Sequence, residues 1–163
     1  MTDITYIHGD ATAPVGDGKK LIIHVCNDCV PGAWGSGFVM ALSRKWRDPE
    51  RLYRKWSREG MFDGKKYQLG EIQVIRVEKN IDVINMIGQR GIKGRTDGHL
   101  PPIRYGAIRR CLKQVVDVAK EQGASVHAPK FGAGLAGGKW ELIEQIIKET
   151  LCANDINVTI YEF

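Results

Sequence analysis

Glycine lets a backbone approach an anion closely, and the first turn of a helix offers unpaired N–H groups with a partial positive charge. The two occur together twice in this chain. Pro129-Lys130-Phe131-Gly132-Ala133-Gly134-Leu135-Ala136-Gly137-Gly138 lies between a predicted strand and a predicted helix. Gly32-Ala33-Trp34-Gly35-Ser36-Gly37-Phe38 follows another strand and opens a helix expected over 39–45. The first of these segments could be a plain connecting turn. Loops at the carboxyl ends of neighbouring strands, however, converge on one crevice, where this pair could hold a diphosphate from both sides. Gly132, Gly134 and Gly137 also have the spacing of the dinucleotide fingerprint. That fold needs several further strands, and only one remains here. A P-loop is excluded because no Gly-Lys-Ser/Thr closes the loop.

Between the glycine loops lies His24-Val25-Cys26-Asn27-Asp28-Cys29, at the end of a strand. Asn27 can donate to and accept from a sugar hydroxyl, and Asp28 can accept a hydrogen bond or serve as a base. The same pair would equally suit an Asx turn into Pro31-Gly32. Cys26 and Cys29 have Cys-x-x-Cys spacing but no second pair, so neither zinc nor redox chemistry is expected. Cations interleave with tryptophans from Arg44 to Arg58, a pattern that could track a nucleic-acid backbone. At helical spacing, Trp46, Leu52, Tyr53 and Trp56 read better as a buried side with the cations solvated. The four histidines show no ligand spacing, and burial with hydrogen bonds accounts for His24 and His127.

These residues must be positioned by strands expected over 4–8, 21–25, 71–77, 82–87, 125–128 and 157–161, each short and rich in β-branched or apolar residues. Asp48-Pro49-Glu50 starts a helix over 51–59 that Gly60 ends. Ala107, Ile108, Cys111, Leu112, Val115, Val118 and Ala119 recur at three-to-four spacing, which makes 104–122 an amphipathic helix closed by Gly123. Trp140, Ile143, Ile146, Ile147 and Leu151 mark another. Strands alternating with helices of this length imply an α/β sheet, and the tight turn at Lys79-Asn80 adds an antiparallel element that makes it mixed. The segment 90–102 has no periodicity. Its cations Arg90, Lys93 and Arg95 suggest a cover over the crevice, although a bland surface loop would look the same.

The chain has 163 residues, 43% of them hydrophobic and 26% charged, which suits one globular domain spanning 1–163 and excludes disorder. No run of about 18 apolar residues exists to cross a bilayer, and Met1-Thr2-Asp3 lacks the opening of a signal peptide. A cytoplasmic monomer with reduced cysteines and no membrane partner is expected. The net charge of +5 favours anionic partners, although surplus cations can serve solubility alone.

Taken in order, Gly9-Asp10-Ala11-Thr12, His24-Val25-Cys26-Asn27, Gly35-Ser36-Gly37-Phe38 and Pro129-Lys130-Phe131-Gly132-Ala133-Gly134 resemble the ADP-ribose-binding macrodomain family over essentially the whole chain. Within the family the chain looks most like the branch holding the terminal ADP-ribose protein glycohydrolase, the yeast-type ADP-ribose-1''-phosphate phosphatase and the macrodomain of a chromatin remodeller that reads poly-ADP-ribose, and phage and bacterial members are similar in Asn85-Met86-Ile87 before Gln89 and in Gly137-Gly138-Lys139-Trp140. The resemblance implies a three-layer α/β/α macrodomain with a mixed central sheet. It implies that Asp10 accepts the adenine amino group beside Ala11 and that Tyr161 packs on the adenine. Gly35, Ser36, Gly37 and Phe38 would embrace the diphosphate and distal ribose from one side, and Gly132, Ala133, Gly134, Leu135 and Ala136 from the other, with Asn27 on the distal ribose. No cofactor or metal is implied, and nucleic acid is disfavoured.

Where the glycohydrolase of that branch has a lysine and an aspartate, this chain has Gly88-Gln89 and Ala136, which cannot form an adduct or move a proton. Two functions are therefore carried forward. One is hydrolysis of ADP-ribose-1''-phosphate or an ADP-ribosyl ester, with Asp28 activating water while Asn27 and Gln89 orient the substrate. The other is non-catalytic reading of mono- or poly-ADP-ribose.

Overall fold

Each apolar run read as a strand forms one. β1 (Ile4–His8) and β2 (Lys20–Asn27) come first, followed by helices α1 (Phe38–Lys45) and α2 (Asp48–Glu59). A small hairpin, β3 (Met61–Phe62) and β4 (Lys65–Lys66), precedes β5 (Ile72–Glu78) and β6 (Ile81–Gln89). Helix α3 (Tyr105–Gln122), β7 (Ser125–Pro129), α4 (Trp140–Thr150), a 3-10 turn at Cys152–Asn154 and β8 (Val158–Glu162) complete the order. This computed structural model describes residues 1–92, 100–134 and 136–163. Lys93 and Arg95 of the expected cover, and Leu135 of the second glycine loop, lie outside them.

The six main strands form one sheet in the order β1-β8-β7-β2-β6-β5, parallel throughout except for β5, which runs antiparallel to β6. Alternate residues of the central strands face opposite layers. Leu21 and Ile23 of β2, with Ile84 and Met86 of β6, pack under α3 and α4. Ile22, Cys26, Val83 and Ile87 pack with Trp34, Leu42, Tyr53 and Trp56, on and before α1 and α2. This is the three-layer α/β/α arrangement with a mixed sheet. Coverage of both faces is why β2 reads as a continuous apolar run instead of an alternating one.

Asp63 and Gly64 both have positive φ, as the tight hairpin turn between β3 and β4 demands; an Asp-Gly pair is its usual sequence. Gly60 ends α2 in the left-handed conformation, its N–H donating to Trp56 O, and Gly123 ends α3 likewise. β2 and β6 both run two residues past their expected ends, which brings Asn27 and Gln89 side by side in register.

Candidate functional site

Five of the six strands point the same way, and the candidate residues gather where those five end. Asp10 and Ala11 follow β1, Asn27 ends β2 with Asp28 just after it, Gln89 ends β6, Gly132 to Gly134 and Ala136 follow β7, and Tyr161 lies near the end of β8. Crevices of α/β sheets form at such carboxyl ends.

A first cavity of about 450 Å³ opens there, a size within the range of small-molecule sites. One wall is Ser36, Gly37, Phe38 and Val39 at the start of α1, with Arg44 further along the helix. The opposite wall is Pro129 to Gly132, Gly134 and Ala136; His24, Val25 and Gln89 lie between them, and Phe163 closes one side. Gly37 caps α1 at φ 81 and ψ −148, a region only glycine enters readily, and no side chain bonds to the first turn. The α1 terminus therefore presents its partial positive charge to the cavity. Gly132 has φ +78, and a Cβ there would stand 2.8 Å from Ile103 and 2.9 Å from Ile143. The two glycine loops thus face each other across one space.

A second cavity, of about 470 Å³, shares Val25, Ser36, Val39 and Gln89 with the first. Beyond them it is lined by Cys26, Asn27, Ala33, Trp34, Gly35, Arg54 and Ile92. Arg54 reaches back from α2: Nε donates to Glu50 Oε2 at 3.0 Å, one Nη to Gly32 O at 3.1 Å and the other to Trp34 O at 3.3 Å. No aspartate or glutamate lines either cavity among the described residues.

Asn27 braces the loop that follows it. Its Oδ1 accepts from Cys29 N at 3.1 Å, Ala33 N at 3.2 Å and Tyr53 Oη at 2.8 Å, and its Nδ2 donates to Ala33 O at 2.8 Å. Burial pushes Tyr53 and Tyr67 well above the usual tyrosine pKa, so both stay protonated, Tyr53 donating to Asn27 and Tyr67 to Cys29 O at 2.6 Å. Among the described residues the other Nδ2 hydrogen has no partner, and Asn27 lines the second cavity. Gln89 faces both cavities while its Nε2 donates to Gly91 O.

Two expectations are corrected. Asp28 lines neither cavity: its Oδ1 accepts from Gly91 N at 2.8 Å and its own N–H donates to Gln89 O, so it ties two loops together, and the turn reading is the better one. Tyr161 is 3% exposed, buried beneath Gly9, with its hydroxyl bonded to His127 Nδ1 at 2.7 Å and to Val15 N at 2.9 Å. It cannot pack on a ligand. Phe163, two residues on and 92% exposed, is an aromatic ring that does line the cavity, as Phe38 and Phe131 also do.

Asp10 and Ala11 do not line the first cavity but adjoin its Phe163 side, where Gly9 N donates to Glu162 O. Asp10 Oδ1 is taken by Thr12 N and Thr12 Oγ1, both at 2.8 Å, which leaves Oδ2 to accept. Ala133, half-buried, belongs to the second glycine loop without lining the cavity. Sequence reasoning passed over Phe163, Arg44 and Arg54. The first follows a strand as an apolar residue, and the two cations looked like solvated helix faces.

His24 is 2% exposed and wedged against Trp34 and Phe38, and burial lowers its pKa to about 4 despite a hydrogen bond from Nε2 to Asn85 Oδ1. Asn85 Nδ2 donates to Pro49 O and Gln73 Oε1, so its Oδ1 must accept and His24 carries its hydrogen on Nε2. Burial likewise raises the Cys26 thiol, which stays protonated.

No family model matches the chain. A solved protein of unknown function from Bacteroides thetaiotaomicron is 51% identical, with 99% of each chain covered and a TM-score of 0.92. A macrodomain protein from Streptomyces coelicolor is 45% identical, again with 99% of each chain covered, at a TM-score of 0.85. Among curated proteins, the chromodomain-helicase-DNA-binding protein 1-like of Mus musculus is 29% identical over 99% of this chain. The chain spans only 18% of that protein and 16% of its Danio rerio counterpart. An ADP-ribose glycohydrolase of Bos taurus is 25% identical, covering 97% of this chain and 90% of its own length. No helix among the described residues is long and apolar enough to cross a membrane.

Proposed function

This chain belongs to the macrodomain family, and on that premise we propose that its first cavity binds ADP-ribose. The observation that carries the reading is the pair of opposed glycine loops, one of them leading into the uncapped start of α1, across a cavity of about 450 Å³. The diphosphate lies between Ser36-Gly37-Phe38 and Gly132 to Gly134, where backbone N–H groups and the helix dipole meet its charge. The adenine lies toward Phe163 and Asp10, whose Oδ2 accepts from the amino group. The distal ribose lies where the two cavities meet, within reach of Asn27 and Gln89.

The similarity to the bovine ADP-ribose glycohydrolase supports a second reading, hydrolysis of an ADP-ribose derivative such as ADP-ribose-1''-phosphate or an ADP-ribosyl ester. With no aspartate or glutamate lining either cavity among the described residues, turnover would rely on amide groups to orient water and would be slow. Reading of ADP-ribose without turnover needs only the binding geometry.

Titration calorimetry with ADP-ribose tests the binding. One-to-one heat, with AMP bound more weakly, is expected, and no heat at millimolar ADP-ribose refutes it. Mass spectrometry after incubation with ADP-ribose-1''-phosphate and with a glutamate-ADP-ribosylated protein separates the two fates: released product supports hydrolysis, and intact substrates support reading.

A further inference from the structure

The first cavity accommodates the proposed ADP-ribose, yet the crevice continues into a second space of similar size, and Arg54 on its lining has no place in that account. Its cation, Arg54, is held by three separate acceptors, which fix the plane of the guanidinium. A guanidinium has five N–H groups, so two remain without a protein partner among the described residues. Such a pre-oriented fork suits the oxygens of a phosphate. Ser36 and the spare Asn27 N–H line the same space, and Glu50, the counter-charge of Arg54, lies outside the lining.

We propose that the second cavity is a phosphate subsite for a group carried on the distal ribose, and that Arg54 sets the preference for ligands bearing that phosphate. The inference rests on the ADP-ribose reading, because a ligand anchored in the first cavity is what points its distal ribose at Arg54. Two sources could supply the phosphate: a monoester on the ribose, or the next unit of an ADP-ribose polymer.

The test titrates ADP-ribose, ADP-ribose-1''-phosphate and a two-unit ADP-ribose oligomer into wild type, Arg54→Gln and Glu50→Gln, with mass spectrometry confirming that each ligand stays intact. Where a ligand is turned over, KM replaces Kd. Wild type should prefer one of the phosphate-bearing ligands over ADP-ribose by at least about tenfold, as expected for a hydrogen bond to a charged group. Which ligand is preferred identifies the source. Arg54→Gln should bring that ratio close to one, while Glu50→Gln, which keeps Arg54 but removes its counter-charge, should widen it.

ADP-ribose affinity within each variant reports whether the loop over residues 32–38 is intact, since Arg54 also supports that loop. If Arg54→Gln weakens all ligands equally, or if wild type shows no preference, the subsite is refuted. Failure of wild type to bind ADP-ribose at all would instead refute the reading beneath it.

Discussion

Acidification should expose the buried His24. On burial its pKa falls from 6.5 to about 4, so between those values the unfolded chain binds a proton that the folded one refuses. Stability is then fully present above about pH 6.5, is lost as pH falls toward 4, and loses nothing more from this group below that. Two-state linkage with these values gives about 2 kcal/mol lost between pH 7 and pH 4.5, a large share of a typical domain's stability.

Guanidinium denaturation of wild type and His24→Gln at both pH values measures it. The glutamine can keep a donor near Asn85 Oδ1 but does not titrate, so the acid loss should shrink by about 2 kcal/mol in the variant. His127, also lowered to about 4, first by burial and then by Lys20, contributes equally to both proteins and cancels. An equal acid loss in the two proteins, or an NMR titration of the His24 imidazole with its midpoint near 6.5, would refute the reasoning.

Three further outcomes are expected. Gly37→Ala meets no atom within 4 Å but forces a side chain into a glycine-only backbone region; it should cost about 1–3 kcal/mol in denaturation and weaken ADP-ribose in calorimetry. Phe163→Ala should weaken ADP-ribose by about 1 kcal/mol, the loss of one aromatic stack, while the melting temperature stays put because the ring is exposed; a melting shift with unchanged affinity would contradict its place at the ligand. Asp28→Asn keeps an acceptor for Gly91 N–H and should hold ADP-ribose affinity within a factor of about three, whereas Asp28→Ala strands that N–H at about 1–3 kcal/mol of stability; a tenfold affinity loss in the asparagine variant would return Asp28 to the site.

The framework was legible because its signals are local. The helical period at 104–122 sets its own buried face, and the β-branched run at 21–25 announces a strand whatever covers it. The glycine loops were legible for the same reason, since strand, glycines and helix are contiguous. What could not be read depends on partners far away in sequence. Asp28 looked like a base because nothing nearby shows that its oxygen is taken by Gly91, 63 residues on. Tyr161 and Phe163 are both aromatic, and only the burial of β8 on both faces, with His127 waiting for the tyrosine hydroxyl, separates them. Arg54 has the sequence signature of a solvated helix residue, and its long stem folding back onto the carbonyls of Gly32 and Trp34 is a tertiary event.

The adjacency of β1 and β8 makes one corner of the crevice depend on residues remote in sequence. Ile4 pairs with Val158, and Thr2 Oγ1 donates to Ile156 O across 154 residues of chain. Contacts this remote in sequence close late, because the entropy of so long a loop must be overcome before any pairing offsets it. On the ribosome, the first strand has no neighbour until residues 158–162 have emerged, since β8 is its one partner in the sheet. The strands β2, β6 and β5 lie within residues 20–89 and can pair well before that. The corner of the crevice shared by Asp10 and Phe163 depends on that pairing, so a nascent chain can form its glycine loops earlier but completes the pocket only when β8 meets β1.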